Sequence, residues 1–227
     1  MKIGLAQMDI VWEDVMANKE KAVVFFEKAK EAQVDLLIFP EMTLTGFSMN
    51  VGKTTRDWED QVSWFRDMSV EYDMALVCGI PENRKASECN EGNVNPVCKE
   101  GDINPFEDME CERENESSIV CTNHLLLIEN GKVLMDYAKI HPFSYGEESK
   151  YFQGGSEVCV ASLQGIKMGG FVCYDLRFPE IFQLSSDYSE LIVVIANWPA
   201  ARINHWDVLL QARAIENQCY IAGVNRT

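Results

Sequence analysis

Val34-Asp35-Leu36-Leu37-Ile38-Phe39-Pro40-Glu41 is a short apolar run that stops at a proline and hands over at once to a carboxylate. A run of this length suits a strand buried on both faces, and the proline marks its end. Upstream, Ala22, Phe25, Phe26 and Ala29 recur at three and four positions between charged residues, which predicts an amphipathic helix over Asn18 to Lys30. Ile3 to Met8 reads as an earlier strand. Downstream, Val62, Phe65, Met68 and Ser69 mark a second helix over Trp58 to Tyr72, and Ala75 to Ile80 reads as another buried strand. Strand, helix, strand, helix, strand is the rhythm of a layered α/β fold.

Residues 82–118 break that rhythm. They hold 11 acids against 4 bases and two Asn-Pro pairs, with poor periodicity, so an acidic surface insertion is expected over about 82–118. Regular structure resumes with Ile119 to Ile128, a turn centred on Asn130-Gly131, and Val133 to Tyr137, the pattern of a β-hairpin. A second hairpin is expected from Glu157 to Leu163 and Ile166 to Val172. A helix begins at Pro179, Leu191 to Ala196 is a strongly apolar strand, Asn204 to Asn217 a helix and Cys219 to Val224 a last strand.

The composition narrows the function. With 227 residues, 47% of them apolar, the chain can bury a core without staples, as one domain over 1–227 or at most two small ones. Its 36 acids against 20 bases give a net charge of -16, a field that repels phosphate backbones and anionic lipid, so neither nucleic acid nor a membrane is an expected partner. No leader is read at the N-terminus, where acids arrive by Asp9. The eight cysteines form no CxxC, and the loose group Cys89, Cys98, Cys111 and Cys121 lacks zinc-ligand spacing. A reducing cytoplasm is the expected compartment.

Three strand ends carry residues suited to chemistry. Glu41 could be a general base or a capping, ion-paired Glu. Lys139, in Tyr137-Ala138-Lys139-Ile140-His141-Pro142-Phe143, could hold an oxyanion or lie along the surface with its stem on apolar neighbours. His141 suits a structural role better than catalysis. Cys173, in Gly169-Gly170-Phe171-Val172-Cys173-Tyr174-Asp175-Leu176-Arg177-Phe178-Pro179-Glu180, ends a strand and precedes a turn into a helix. That is the setting of a nucleophile elbow, where helix N–H groups favour the thiolate; a buried structural Cys is the other reading. Arg177 and Glu180, three apart, could brace the elbow by an ion pair.

Taken together these motifs resemble the carbon–nitrogen hydrolase family, the nitrilase superfamily. The resemblance covers 1–80 and 119–227, and Ala196-Asn197-Trp198-Pro199, Arg202-Ile203-Asn204-His205-Trp206 and Gly223-Val224-Asn225-Arg226 look like its omega-amidase-like branch. It implies a Glu41–Lys139–Cys173 triad, a second glutamate at Glu148 (one position from Glu147), and an oxyanion contact from the backbone N–H of Tyr174. It implies a four-layer α-β-β-α sandwich with two mixed sheets, C-terminally shortened, assembled as a homodimer near the 204–217 helix. No metal or organic cofactor is implied. The implied substrate is a small carboxylate-bearing amide such as 2-oxoglutaramate, with Arg202 as the candidate for the carboxylate and Phe143, Tyr145, Tyr174 and Trp198 as candidate walls. Trp206 is read as core or interface. Another amide, carbamoyl, ester or nitrile substrate, or a catalytically silent binder, remains the alternative.

Overall fold

The computed structural model describes residues 1–85 and 119–227. Two mixed sheets lie face to face. The first runs β1 (Ile3–Leu5), β2 (Leu36–Ile38), β3 (Ala75–Lys85), β4 (Ile119–Glu129) and β5 (Lys132–Ala138), parallel through β3 and antiparallel beyond it. The second runs β6 (Val160–Leu163), β7 (Ile166–Val172), β8 (Leu191–Ala196) and β9 (Tyr220–Asn225), with only β6 and β7 antiparallel. Helices α1 (Val15–Glu31) and α3 (Trp58–Glu71) cover the first sheet; α2 (Val51–Thr54) is a single turn between them. Helices α4 (Pro179–Ser186) and α5 (Ile203–Asn217) cover the second. This is the α-β-β-α sandwich that the sequence implied. Among the described residues no helix is long and apolar enough to cross a membrane.

The side-chain period of two explains why one strand serves two cores. Leu125 and Leu127 of β4 join Phe171, Val172 and Val193 in the core between the sheets. Leu126 and Ile128 of the same strand join Phe26 and Phe65 in the core beneath the helices. Two-residue turns set the hairpin registers. Asn130 and Gly131 have φ of 48° and 71°, and Gln164 and Gly165 have 51° and 85°, the left-handed pairs that match strand twist.

Several boundaries differ from the sequence reading. Helix α1 starts before Asn18 because the Asp14 carboxylate caps it, accepting the Ala17 N–H at 3.0 Å. Strand β3 runs past Ile80 to Lys85, in register with β4 as far as Ile119. Its extension has polar residues on the buried face: Glu82 is fully buried beside His124. Apolar periodicity does not flag such a strand. So 82–85 belong to β3, and the rest of the expected insertion, with Cys89, Cys98 and Cys111, lies outside the described residues.

Candidate active site

The turn that carries Glu41 is shaped by its neighbours. After β2, Glu41 to Thr45 folds back, with Met42 at φ 45°. The turn rests on Gly79 of β3, where an added Cβ would stand 2.4 Å from Met42 N and 2.7 Å from Glu41 Cα, so only glycine fits. Thr43 N–H donates to Gly79 O at 2.9 Å, Gly79 N–H donates to Thr43 Oγ1 at 3.0 Å, and Asn18 of α1 donates to Leu44 O at 2.8 Å. The Glu41 carboxylate is thereby held fully buried.

Lys139 follows β5 and extends the ladder by one bond, its N–H donating to Asn123 O at 2.8 Å. Its ammonium, 1% exposed, donates to Glu41 Oε1 at 3.0 Å and to Glu148 Oε2 at 2.8 Å. Glu148 comes from a short turn begun by Glu147 at φ 62°. The two glutamates part company there. Glu148 is fully buried and also accepts the Phe143 N–H at 2.5 Å, whereas Glu147 is exposed and pairs with Lys150 at 2.6 Å. The network therefore takes Glu148. Burial opposes the charge on Lys139, but the carboxylates of Glu41 and Glu148 more than reverse this and raise its pKa, so it remains an ammonium at neutral pH.

Two asparagines complete the network, and sequence reasoning gave them no role. Asn123 Nδ2 donates to Glu41 Oε1 at 2.8 Å and to Glu148 Oε1 at 2.9 Å. Asn197 donates its backbone N–H to Glu41 Oε2 at 2.8 Å and its side-chain amide to Glu41 O at 2.6 Å. Asn197 stood in a quoted motif. For Asn123 the sequence offered little signal, since it sits in the polar stretch Thr122-Asn123-His124 of β4.

Cys173 sits where β7 ends, at φ 50°, in a left-handed conformation that a side chain adopts only under constraint. Asp175 supplies that constraint. Fully buried, it accepts Tyr137 OH at 2.8 Å and Val172 N–H at 3.1 Å on one oxygen, and His141 N–H at 2.9 Å on the other. His141 Nδ1 also lies 2.9 Å from that second oxygen, and its ring stacks on Phe178 at 3.6 Å, the structural role expected of it. The helix N–H groups do not dominate the thiol as the sequence suggested. Burial first, then the Glu41 charge, push the Cys173 thiol well above its usual range; Lys139 opposes them incompletely.

Above this floor stand the expected wall residues. Phe143 packs on Tyr174 with ring centroids 5.0 Å apart, and Trp198 is 5% exposed against Trp206, which belongs to the core. Asn225 of β9 holds Trp198 by two bonds, accepting its N–H at 2.6 Å and donating to its carbonyl at 3.1 Å. The Arg202 guanidinium lies over the Phe143 ring at 5.6 Å. Tyr145 is not brought in as a wall: it is 85% exposed and among the described residues its ring reaches only Phe143, at 6.2 Å. The expected Arg177–Glu180 pair is also not formed. Arg177 turns instead onto Trp198, at 5.0 Å, where ring faces attract a cation.

Among the described residues, Glu82, His124 and Asp136 form a group of the kind that can hold a metal. His124 alternates with Asn123 along β4, so this group is on the far face of the sheet from Lys139. Both His124 nitrogens are engaged there, with Asp136 at 2.5 Å and Thr122 Oγ1 at 2.6 Å.

Residues 2–227 match the carbon–nitrogen hydrolase family. The chain is 34% identical over 226 residues to the omega-amidase YafV of Yersinia enterocolitica, covering all of this chain and 74% of that protein. It is 29% identical to the 2-oxoglutaramate amidase of Bacillus subtilis, covering 99% of this chain and 76% of that one. Among solved structures it is similar to XC1258 of Xanthomonas campestris, a CN-hydrolase superfamily protein with an arsenic adduct in its active site. The TM-score is 0.79 at 27% identity, over 99% of this chain and 75% of that one.

Proposed function

The chain belongs to the carbon–nitrogen hydrolase family, and on that premise we propose that it hydrolyses a small carboxylate-bearing amide, 2-oxoglutaramate or a close analogue, to the acid and ammonia. One observation carries the reading: the side chains of Cys173, Glu41 and Lys139 are buried together, with Lys139 Nζ 3.0 Å from Glu41 Oε1 and 2.8 Å from Glu148 Oε2. The naming of the Yersinia and Bacillus relatives supports the substrate class.

The chemistry follows from the resting protonation. Glu41 takes the proton of Cys173 as the sulfur attacks the amide carbon, so the thiolate forms only with substrate in place. The C–S bond forms, and the carbonyl oxygen gains charge opposite the Lys139 ammonium and the Tyr174 N–H. Glu41 then returns the proton to the leaving nitrogen, the C–N bond breaks and ammonia departs, leaving a thioester. Water, deprotonated by Glu41, attacks that thioester; the acid leaves and the thiol is restored. Glu148 and Asn123 position Lys139 and Glu41. Arg202, above Phe143, meets the far carboxylate.

The test is ammonia release from 2-oxoglutaramate and from glutamine, beside a Cys173→Ala control. Release from the keto acid that vanishes in the control is the expected result. Cys-dependent release from other amides, nitriles or carbamoyl compounds alone would move the substrate class. No release from folded protein would leave a binding protein. The same reading carries a homodimer in a reducing cytoplasm, packed through α5, where Ile203, Val208 and Ile215 are exposed; light scattering tests the dimer.

A further inference from the structure

The turn from Cys173 to Arg177 carries the sulfur on a residue at φ 50°, and such a conformation persists only where the surroundings over-determine it. Asp175 fixes the entry to this turn, through the Val172 N–H of β7 and through Tyr137 and His141. The exit is fixed by a different element. Leu176 O accepts two hydrogen bonds from Arg213 of α5, from Nε at 3.2 Å and from Nη2 at 2.8 Å. The segment is a 3₁₀ turn, whose bonding couples each residue to the third one after it, so a shift at Leu176 is also a shift at Cys173.

Arg213 is itself firmly placed. It is 4% exposed, its Nη1 donates to Glu216 Oε1 at 2.7 Å, and its Cζ lies 5.3 Å from the Phe182 centroid of α4. Phe182 packs at 4.4 Å on Phe171, which lies two residues before Cys173 on β7. Asn217 Nδ2 donates to Arg213 O at 2.9 Å, and Asn217 Oδ1 accepts Ser186 Oγ of α4 at 3.3 Å. Taking a guanidinium out of water is costly, and the half-exposed Glu216 offsets that cost only in part. An apolar side chain could fill the same space between α4 and α5 without the cost. What the guanidinium adds is a rigid planar fork, two of whose donors converge on one carbonyl and fix its direction as well as its distance.

We propose that Arg213 is a positioning residue for the nucleophile: by gripping Leu176 O it sets the path of the 173–177 turn, and so the direction in which Cys173 presents its sulfur to Glu41 and to the amide carbon. It acts through the backbone of the turn and not on the substrate. The turn is clamped at both ends, by a carboxylate within it and by a guanidinium from α5. The turnover part of the test rests on the amidase reading above; the labelling part does not.

The experiment takes the wild type, Arg213→Met, Arg213→Lys and Glu216→Gln. In each it measures amide turnover and, by mass spectrometry, the rate at which iodoacetamide alkylates each cysteine. In Arg213→Met kcat should fall about 10²-fold, as when a reacting group is misplaced by about 1 Å, with KM nearly unchanged. Alkylation of Cys173 should slow by a similar factor while the buried Cys78 and Cys159 stay protected. Arg213→Lys, which keeps a donor for Leu176 O, should recover part of both rates. Glu216→Gln removes the ion pair and leaves the Leu176 bonds, so it should match the wild type in both. Wild-type rates in Arg213→Met would overturn the proposal. So would an equal loss in Glu216→Gln, or Cys78 and Cys159 becoming reactive in Arg213→Met, since either makes Arg213 a packing residue of α5. If Arg213→Met does not fold, Arg213→Lys decides: a lowered kcat at unchanged KM upholds the proposal, and a wild-type kcat or a second failure to fold overturns it. If the wild type cleaves no amide, the amidase reading fails and the alkylation rates decide alone. In that case a wild-type Cys173 that reacts no faster than the half-buried Cys219 would overturn this proposal as well.

Discussion

Glu41, Lys139 and Glu148 are each at most 1% exposed, and every charge among them meets an opposite one; the arginines standing above them rest on ring faces and, among the described residues, on no carboxylate. The floor holds its charges at fixed distances, at the expense of dehydrating all three. The rim leaves its charges partly in solvent, with one Arg177 donor engaged, its Nη2 reaching His205 Nδ1 at 3.2 Å. A dry, paired floor keeps the same proton inventory whatever amide arrives. Under the proposed function, a rim cation without an acidic neighbour would gain a partner only from an anionic amide. On the proposed reading, chemistry and selectivity occupy separate layers, joined by three aromatic residues.

The sharpest way to break this division is to alter the floor without altering its shape. Glu41→Gln keeps the volume and most of the hydrogen bonds but cannot take the thiol proton. Turnover should drop roughly 10²–10⁴-fold for anionic and neutral amides alike, the range expected when a general base is lost. Unequal losses would mean that the floor also discriminates. Lys139→Met is the corresponding test of stability. It leaves two buried carboxylates facing each other, and urea unfolding should report a loss of about 3–5 kcal/mol, as when one partner of a buried pair is removed. Adding Glu148→Gln should restore part of it. If Lys139→Met alone unfolds at the wild-type urea concentration, the floor is not a coupled charge unit.

A smaller effect comes from pH. Burial pushes the thiols of Cys173 and Cys78 well up and that of Cys159 up to about 12. Their folded pKa values are raised, so their contribution is complete below the unfolded thiol pKa of about 8.5 and declines as pH rises above it, because only the unfolded chain can release those protons. Each such thiol gives a slope of about 1.4 kcal/mol per pH unit in that window. Thermal unfolding followed from pH 7 to about pH 10 should show stability falling, and Cys78→Ala should make the fall shallower. A flat profile would show that the core admits thiolates. The smallest effect belongs to the outermost rim: Tyr145→Ala should change stability by no more than about 0.5 kcal/mol, as at an exposed site. A larger loss would mean that Tyr145 is buried against something in solution.

The two layers also differ in how far they could be read from the amino acids alone. The rhythm of strands and helices was legible because apolar spacing records which face of each element is buried. Glu41, Lys139 and Cys173 stood out because each closes an apolar run. The glue between them was not legible. Asn123 lies mid-strand, and its partners Glu41 and Glu148 are far from it in sequence; only the pairing of β4 with β3 and β5 brings them together. The extension of β3 escaped for the same reason, since Glu82 faces His124 and not an apolar neighbour. The rim misled in another way. Arg177 and Glu180 have the spacing of a helical ion pair, but Arg177 belongs to the tight turn before α4, where that spacing does not align side chains. Tyr145 has the chemistry of a pocket wall, but the short turn from Ser144 to Gly146 carries it outward.

The two hydrogen bonds between Asn225 and Trp198 tie β9 to a proposed wall of the pocket. Any loosening of that strand is therefore felt first as a loss of order in one wall of the pocket, while the proton-transfer apparatus below stays intact. An enzyme wired in this way loses its grip on the substrate before it loses its chemistry. On gentle heating, its Michaelis constant would climb while its maximal rate still followed the ordinary temperature dependence of the reaction.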